Sequence, residues 1–180
     1  MKLILVRHGQ TDWNVNKIIQ GRVSVSLNET GVEQVKKTSE LLLEELDGER
    51  VAACYYSPLM RTTESAKIMS NIISTEYILD GRLEERGFGS LVGKPEKDYT
   101  DYLDLYWDDD LNYSNYQVEP VRSFRKRVMS FLDDIKKNHD DNDIIIIISH
   151  GSTLTMLYRL LGKQIKEYEV CNASFAVFDY

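Results

Sequence analysis

Two of the three histidines stand in matching settings, where an apolar run gives way to a polar residue, then the histidine, then a glycine. They are Arg7-His8-Gly9 after MKLILV and Ser149-His150-Gly151 after DIIIII. Arg61, within SPLMR, and the charged trio Glu84-Glu85-Arg86 follow two further short apolar runs. Each of these residue types has a use at phosphorus. Arginine presents a planar fork, charged at any working pH, that pairs with phosphate oxygens. A neutral imidazole can attack phosphorus, and a second imidazole can hold charge in the transition state. A carboxylic acid can protonate a leaving oxygen and later take a proton from water. Glycine lets an anion approach the backbone closely, and helix N-termini behind the second and fourth runs would offer it N–H donors. Taken alone, His8 reads as the polar end of a strand. Gathered on one crevice, the set would be a phosphoryl-transfer site that needs no metal.

The elements that must gather them follow from the periodicity. MKLILV is too short for a helix and rich in Leu, Ile and Val, so it reads as a buried strand. Val51–Tyr56 reads as a second strand, EYIL as a short third, SFAVFDY as the last. The five consecutive isoleucines of DIIIIIS predict burial on both faces, as in the centre of a parallel sheet. Between the strands the spacing turns helical. Thr30 is expected to cap a helix to about Leu46 that buries Val32, Val35, Leu42, Leu43 and Leu46. A helix follows Ser57, with Leu59, Ala66, Met69 and Ile73 turned inward. Pro120 opens another, carrying Val121, Phe124, Val128, Phe131, Leu132 and Ile135. A fourth runs from about Ser152 to Leu161. Strand alternating with helix predicts an α/β fold, a single-domain, mainly parallel sheet with helices on both faces. In such sheets ligands bind beyond the carboxyl ends of the strands, which is where both histidines, the arginines and the glutamate pair fall.

Residues 81–98 hold too many glycines for regular structure and should be loop. Tyr99, Tyr102, Leu103, Tyr106 and Trp107 then repeat at helical spacing. They predict a small helical cap, an insertion at about 87–119 within one domain spanning residues 1–180, that covers the sheet end. A stacking wall for a ring-bearing substrate is the alternative reading of those aromatics. Asp108, Asp109 and Asp110 are adjacent and cannot all face one ion, so they read as a solvated face, and His139 reads as a loop histidine.

Bulk composition narrows the function further. With 22 basic against 29 acidic residues the net charge is −7, which argues against nucleic acid or an anionic membrane as partner. A small phosphorylated molecule remains compatible if a few cations are concentrated in one pocket. The first strand starts at Met1 with no signal-peptide pattern ahead of it and no run long enough to span a membrane. Cys54 and Cys171 read as reduced core residues. A cytoplasmic location is the expectation; oligomeric state has no signal in the sequence.

RHGQTDWN, QGRVSVSLNETGVEQ, SPLMRT, LEERGFGSLVG and ISHGSTLTMLYRLLG resemble the motifs of the histidine phosphatase superfamily, also called the phosphoglycerate mutase-like family. They run in family order from residue 3 to about residue 162, and NASFAVFDY resembles the closing strand. The resemblance implies that His8 is a nucleophile that becomes transiently phosphorylated. It implies a phosphate pocket of Arg7, Arg61 and His150, completed by Asn14, Gln20 and the backbone near Gly21 and Gly151. The family pattern of leucine, any residue, glutamate, then glycine four further on matches Leu83, Glu85 and Gly89. It selects Glu85 over Glu84 as proton donor, with Arg86 placed to touch substrate. No cofactor or metal is implied.

Departures from the pattern sit around the pocket. Ser24 and Ser26 replace a usual aspartate and proline, and Pro120 follows Glu119 where a serine is usual. Between Arg86 and Arg122 only Lys94 and Lys97 are basic, and no long C-terminal tail resembling the mutase lid is present. A phosphatase is therefore expected rather than a mutase. Phosphoglycerate mutase-type transfer, α-ribazole phosphatase activity and a phospho-ligand-binding module without turnover are the alternatives.

Overall fold

The structure is a computed structural model that describes residues 1–99, 107, 116–162 and 170–180. Five strands, β1 (Lys2–Arg7), β2 (Val51–Tyr56), β3 (Tyr77–Leu79), β4 (Ile144–Ser149) and β5 (Phe175–Asp179), form one sheet in the order β3-β2-β4-β1-β5. All neighbours pair in parallel except β5, which runs antiparallel to β1. The expected α/β architecture, a mainly parallel sheet, is the one observed. The isoleucine strand β4 is central, buried along its whole length and paired with β1 and β2.

Helices α2 (Glu29–Leu46) and α3 (Met60–Ser70) cover one face; α4 (Val121–Asn138) and α5 (Gly151–Leu160) cover the other. A short helix α1 (Asp12–Val15) lies in the loop after β1. Strand alternation divides the core accordingly. Leu3, Leu5, Ile145 and Ile147 meet Phe124, Val128 and Phe131 of α4 and Leu154 and Leu157 of α5. Ile4, Val6, Ile146 and Ile148 meet Leu42 and Leu46 of α2 and Ala66 and Met69 of α3. All six apolar residues expected on the inner face of α4 are buried. Each such side chain contributes on the order of 1.5–3 kcal/mol on burial.

Three expectations shift. The cap of α2 is Asn28, not Thr30: its Oδ1 accepts from the Gly31 N–H at 2.8 Å, the usual geometry for an Asn N-cap. Leu43 is exposed and Val32 only half-buried, because the buried stripe runs through Val35, Thr38, Ser39, Leu42 and Leu46. The two hydroxyl residues fit there since Thr38 donates to the Ala173 carbonyl and Ser39 to the Val35 carbonyl. Cys54 is a buried core residue as expected, but Cys171 is exposed, lying in the turn ahead of β5. In the aromatic stripe, Tyr102, Leu103 and Tyr106 lie outside the described residues, as do Asp108, Asp109 and Asp110. Trp107 stacks on Phe124 with ring centroids 6.2 Å apart, and Tyr99 meets Tyr116 edge-on at 6.0 Å. Among the described residues no helix is long and apolar enough to cross a membrane.

Candidate active site

Strand register places the two histidines side by side. Arg7 pairs with Ser149 at the carboxyl ends of β1 and β4, and the ladder continues one step as the His8 N–H donates to the Ser149 carbonyl at 3.1 Å. The ring centroids of His8 and His150 are 5.2 Å apart. On the other side of β4, Tyr56 pairs with Ile148 and the Ser57 N–H donates to the Ile148 carbonyl at 3.2 Å. His8 and His150 thus leave the sheet at one level, with Ser57 one residue earlier, beside Ser149.

Glycine lets α2 close over this end. A Cβ on Gly9 would stand 2.4 Å from the Gly31 carbonyl oxygen, and one on Gly31 would stand 2.1 Å from that of Gln10. The first turn of α2 and the loop carrying His8 touch backbone to backbone, a contact that only glycine permits.

Both imidazoles are fully buried, and their partners assign opposite tautomers. His8 Nδ1 is 2.7 Å from the Gly9 carbonyl, which can only accept, so Nδ1 carries the proton and Nε2 holds a lone pair. His150 Nδ1 accepts from Arg61 Nε at 3.1 Å, so its proton is on Nε2, 2.7 Å from Ser57 Oγ. Burial above all, then the charges of Arg61 and Arg7, hold His8 well below the ordinary histidine range. Burial and Arg61 do the same to His150. Both rings are therefore neutral near pH 7.

Arg61 is 1% exposed and reaches past His150 to the QGR loop, donating from Nη1 to the Val23 carbonyl and from Nη2 to that of Gly21, each at 2.8 Å. Gly21 adopts φ +51°, a left-handed conformation suited to glycine. Burial pulls the Arg61 pKa down to about 10, opposed by the charge of Glu85 and reinforced by Arg7. The guanidinium stays charged at neutral pH. Arg7 donates to the Val170 carbonyl, and its buried Nε has no hydrogen-bond partner among the described residues. An unmet buried N–H costs about 1–3 kcal/mol, a penalty that an anion bound there would relieve.

The two glutamates part company. Glu84 turns to Arg22, with Arg22 Nε 3.3 Å from its Oε2. Glu85 is 7% exposed and lies against the start of α5, accepting from Ser152 N at 3.2 Å, Thr153 N at 3.2 Å and Arg86 N at 2.8 Å. The first-turn donors of α5, expected to face an incoming anion, are thus bonded to a carboxylate of the chain itself.

Asn14 and Gln20 are brought together through Thr11, whose hydroxyl lies 2.9 Å from Asn14 Oδ1 and 3.2 Å from Gln20 Oε1. Arg86 is wholly buried and donates from Nε to the Glu119 carbonyl at 2.8 Å, and Gly151 opens α5 beside His150. His139 lies away from this site, between Tyr55 Oη at 2.9 Å and Asp143 Oδ2 at 3.2 Å.

Two neighbours of the histidines escape a reading by sequence. Ser57 occupies the same strand-end position as both histidines, a signal that reading the strand ends alone could have used. Asn172 donates to the His8 carbonyl at 3.2 Å and to Asn14 Oδ1 at 3.3 Å; it opens NASFAVFDY, which the sequence marks as a closing strand and not as part of the site.

Comparison with known proteins gives the family and the fold. The model of the histidine phosphatase superfamily (branch 1) matches residues 3–180. Phosphoserine phosphatase 1 of Hydrogenobacter thermophilus is 30% identical over 98% of this chain and 85% of its own length. The metal-independent phosphoserine phosphatase of Arabidopsis thaliana is likewise 30% identical, over 98% of this chain and 75% of its own. In fold, the crystal structure of a phosphoglycerate mutase from Thermus thermophilus superposes with a TM-score of 0.74 at 23% identity, covering 100% of this chain and 94% of the mutase. With its two strand-end histidines, and a family match spanning all five strands, the chain belongs to the histidine phosphatase superfamily, branch 1.

Proposed function

We propose that the chain is a phosphatase that hydrolyses small phosphomonoesters through a phosphohistidine at His8. The observation that carries the mechanism is the pair of opposite tautomers: a neutral His8 whose Nε2 lone pair has no hydrogen-bond partner among the described residues, beside a His150 that donates from Nε2. A phosphate group bound among Arg7, Arg61 and His150 meets two positive charges and a neutral donor, the His150 Nε2–H, which leaves Ser57 Oγ for a phosphoryl oxygen. His8 Nε2 attacks phosphorus, the bond from phosphorus to the ester oxygen breaks, and the departing oxygen takes a proton from Glu85. Water then attacks the phosphohistidine, gives its proton to Glu85, and phosphate leaves with His8 restored. Arg61, Arg7 and the His150 donor stabilise charge as it develops on the phosphoryl oxygens, the larger part of catalysis in such a site. Asn14, Gln20 and the Gly21 and Gly151 backbone shape the pocket around them, and Arg86 contributes to substrate binding.

The first substrate to try is O-phosphoserine, on which two relatives are named to act. Mutase-type transfer is the second reading, supported by the likeness to a mutase, while the scarcity of cations between Arg86 and Arg122 favours hydrolysis. Purified protein should be assayed in EDTA against O-phosphoserine, α-ribazole 5′-phosphate, other phosphomonoesters and 3-phosphoglycerate. Phosphate release is expected, and His8→Ala should lower it on the order of a thousandfold or more. Isomerisation of 3-phosphoglycerate without net phosphate release would turn the assignment to mutase. Binding of phosphorylated compounds with no turnover of any would turn it to a recognition module.

A further inference from the structure

Arg127 lies on α4 with its side chain 16% exposed. All five N–H groups of its guanidinium are engaged. Nε and one Nη2 proton make a two-pronged pair with Glu119, at 2.9 Å to Oε1 and 3.0 Å to Oε2. The other three go to backbone carbonyls of one short segment: Nη1 to Arg82 at 2.6 Å and to Glu84 at 2.8 Å, and Nη2 to Glu85 at 3.1 Å. A guanidinium so occupied has no donor left for substrate.

Glu119 binds the next residues of the same segment. Its Oε2 accepts from the Gly87 N–H at 3.1 Å, its backbone N–H donates to the Gly87 carbonyl at 2.7 Å, and its carbonyl accepts from Arg86 Nε at 2.8 Å. Arg22 adds a third hold, donating from Nε to the Glu85 carbonyl at 3.1 Å and pairing through Nη2 with Glu119 at 3.0 Å. The stretch from Arg82 to Gly87 has no regular ladder of its own, apart from one 3₁₀ turn at Gly81–Leu83. These side chains stand in for it.

We propose that Arg127, locked to Glu119, is a positioning residue that sets the turn of the 82–87 segment so that Glu85, and not Glu84, presents its carboxyl to the phosphate pocket. Slipping the segment by one residue would exchange the two glutamates, and three carbonyl contacts from one rigid fork oppose that slip. The inference rests on Glu85 being the acid of the proposed reaction.

The test uses leaving-group dependence, which a loss of general stability does not move selectively. Departure of an alkoxide needs a proton far more than departure of p-nitrophenolate does. Glu85→Gln, Arg127→Met and Glu119→Gln should be assayed on O-phosphoserine and on p-nitrophenyl phosphate, with folding followed by thermal melting. Glu85→Gln and Arg127→Met are expected to lower kcat/KM, which reports the step that breaks the ester bond, about a hundredfold on the alkyl ester, within the range for a lost general acid, and less than about tenfold on the aryl ester. Glu119→Gln should shift the ratio the same way by a smaller factor, and it is the variant to read if Arg127→Met does not fold. If Glu85→Gln shifts the ratio while Arg127→Met, or Glu119→Gln in its place, lowers both esters equally, the positioning role is overturned alone. If Glu85→Gln leaves the ratio unchanged, the assignment of Glu85 as acid is overturned and the proposal falls with it.

Discussion

Gly31→Ala is a substitution whose ordinary sign should reverse here. Inside a helix, replacing glycine by alanine normally stabilises by about 1 kcal/mol. At this position the new Cβ would stand 2.1 Å from the Gln10 carbonyl oxygen and 2.7 Å from its nitrogen, both backbone atoms that cannot rotate away. Restoring even a 3.0 Å contact requires α2 and the His8 loop to part by about 1 Å. The loop is held on both sides, since the Gln10 carbonyl also accepts from the Asn28 N–H at 3.0 Å and Gly9 faces Gly31 from the other side. Overpacking costs about 1–3 kcal/mol, and a clash with backbone that cannot yield belongs at the upper end, about 2–3 kcal/mol, so the net effect should be a loss of about 1–2 kcal/mol once helix propensity is set against it. For a chain of this size that lowers Tm by roughly 2–8 °C. Because Gln10 lies two residues from His8, the displacement reaches the nucleophile, and a 1 Å misplacement costs about a hundredfold in rate. Thermal melting and kcat/KM of the variant should be measured beside Gly81→Ala, where a Cβ meets nothing within 4 Å. A Gly31→Ala protein as stable and as active as the parent would refute the reasoning.

Other consequences can be checked in the same laboratory. Since His8 and His150 are held below the ordinary 6.5 by burial and by Arg61, their NMR resonances should show neutral rings down through pH 6; a midpoint near 6.5 for either would contradict the site geometry. The same shift carries a sign for stability. Below about pH 6.5 the unfolded chain binds protons that the folded one refuses, so these two rings should make stability fall with decreasing pH until their lowered folded values are passed. Urea titrations of the parent and of His150→Gln should differ in that slope. Arg61→Lys keeps the charge, but one ammonium cannot reach His150, Gly21 and Val23 together. At least one buried acceptor is then unmet, at about 1–3 kcal/mol, and kcat should fall about a hundredfold or more; near-parental kinetics would exclude the fork as the working feature. Asn172→Ala removes donors to the His8 carbonyl and to Asn14. It should lower kcat about tenfold with little change in Tm, and an unchanged kcat would confine Asn172 to the loop that leads into β5.

How much of this is legible in the sequence depends on where the information lies. Five isoleucines in a row allow only a doubly buried strand, and β4 is the centre of the sheet. The apolar residues of α4 repeat cleanly over five turns, and all of them are inside. The α2 stripe is harder to read, because Thr38 and Ser39 are buried by virtue of hydroxyl bonds to carbonyls, which hydrophobic spacing does not register. The strand-end rule foresees that His8 and His150 are neighbours, since parallel pairing of β1 with β4 leaves them at one level. What spacing does not reveal is how side chains are committed among themselves. That Glu85 takes up the first donors of α5, that Arg61 bonds to the QGR loop, and that Arg127 holds three carbonyls of the 82–87 segment all depend on contacts between residues tens of positions apart. Asn172 is the extreme case, a single amide joined to the nucleophile only by the antiparallel return of β5.

The central claim is that phosphate passes through His8. Rapid acid-free quenching of the protein with a ³²P-labelled phosphomonoester, in EDTA, should leave label on the chain that is stable to base and lost in acid, and peptide mapping should place it on His8. In His8→Ala the label should be absent and steady-state phosphate release should fall on the order of a thousandfold or more. Undiminished phosphate release by His8→Ala, or label on another residue of the parent, would contradict the account.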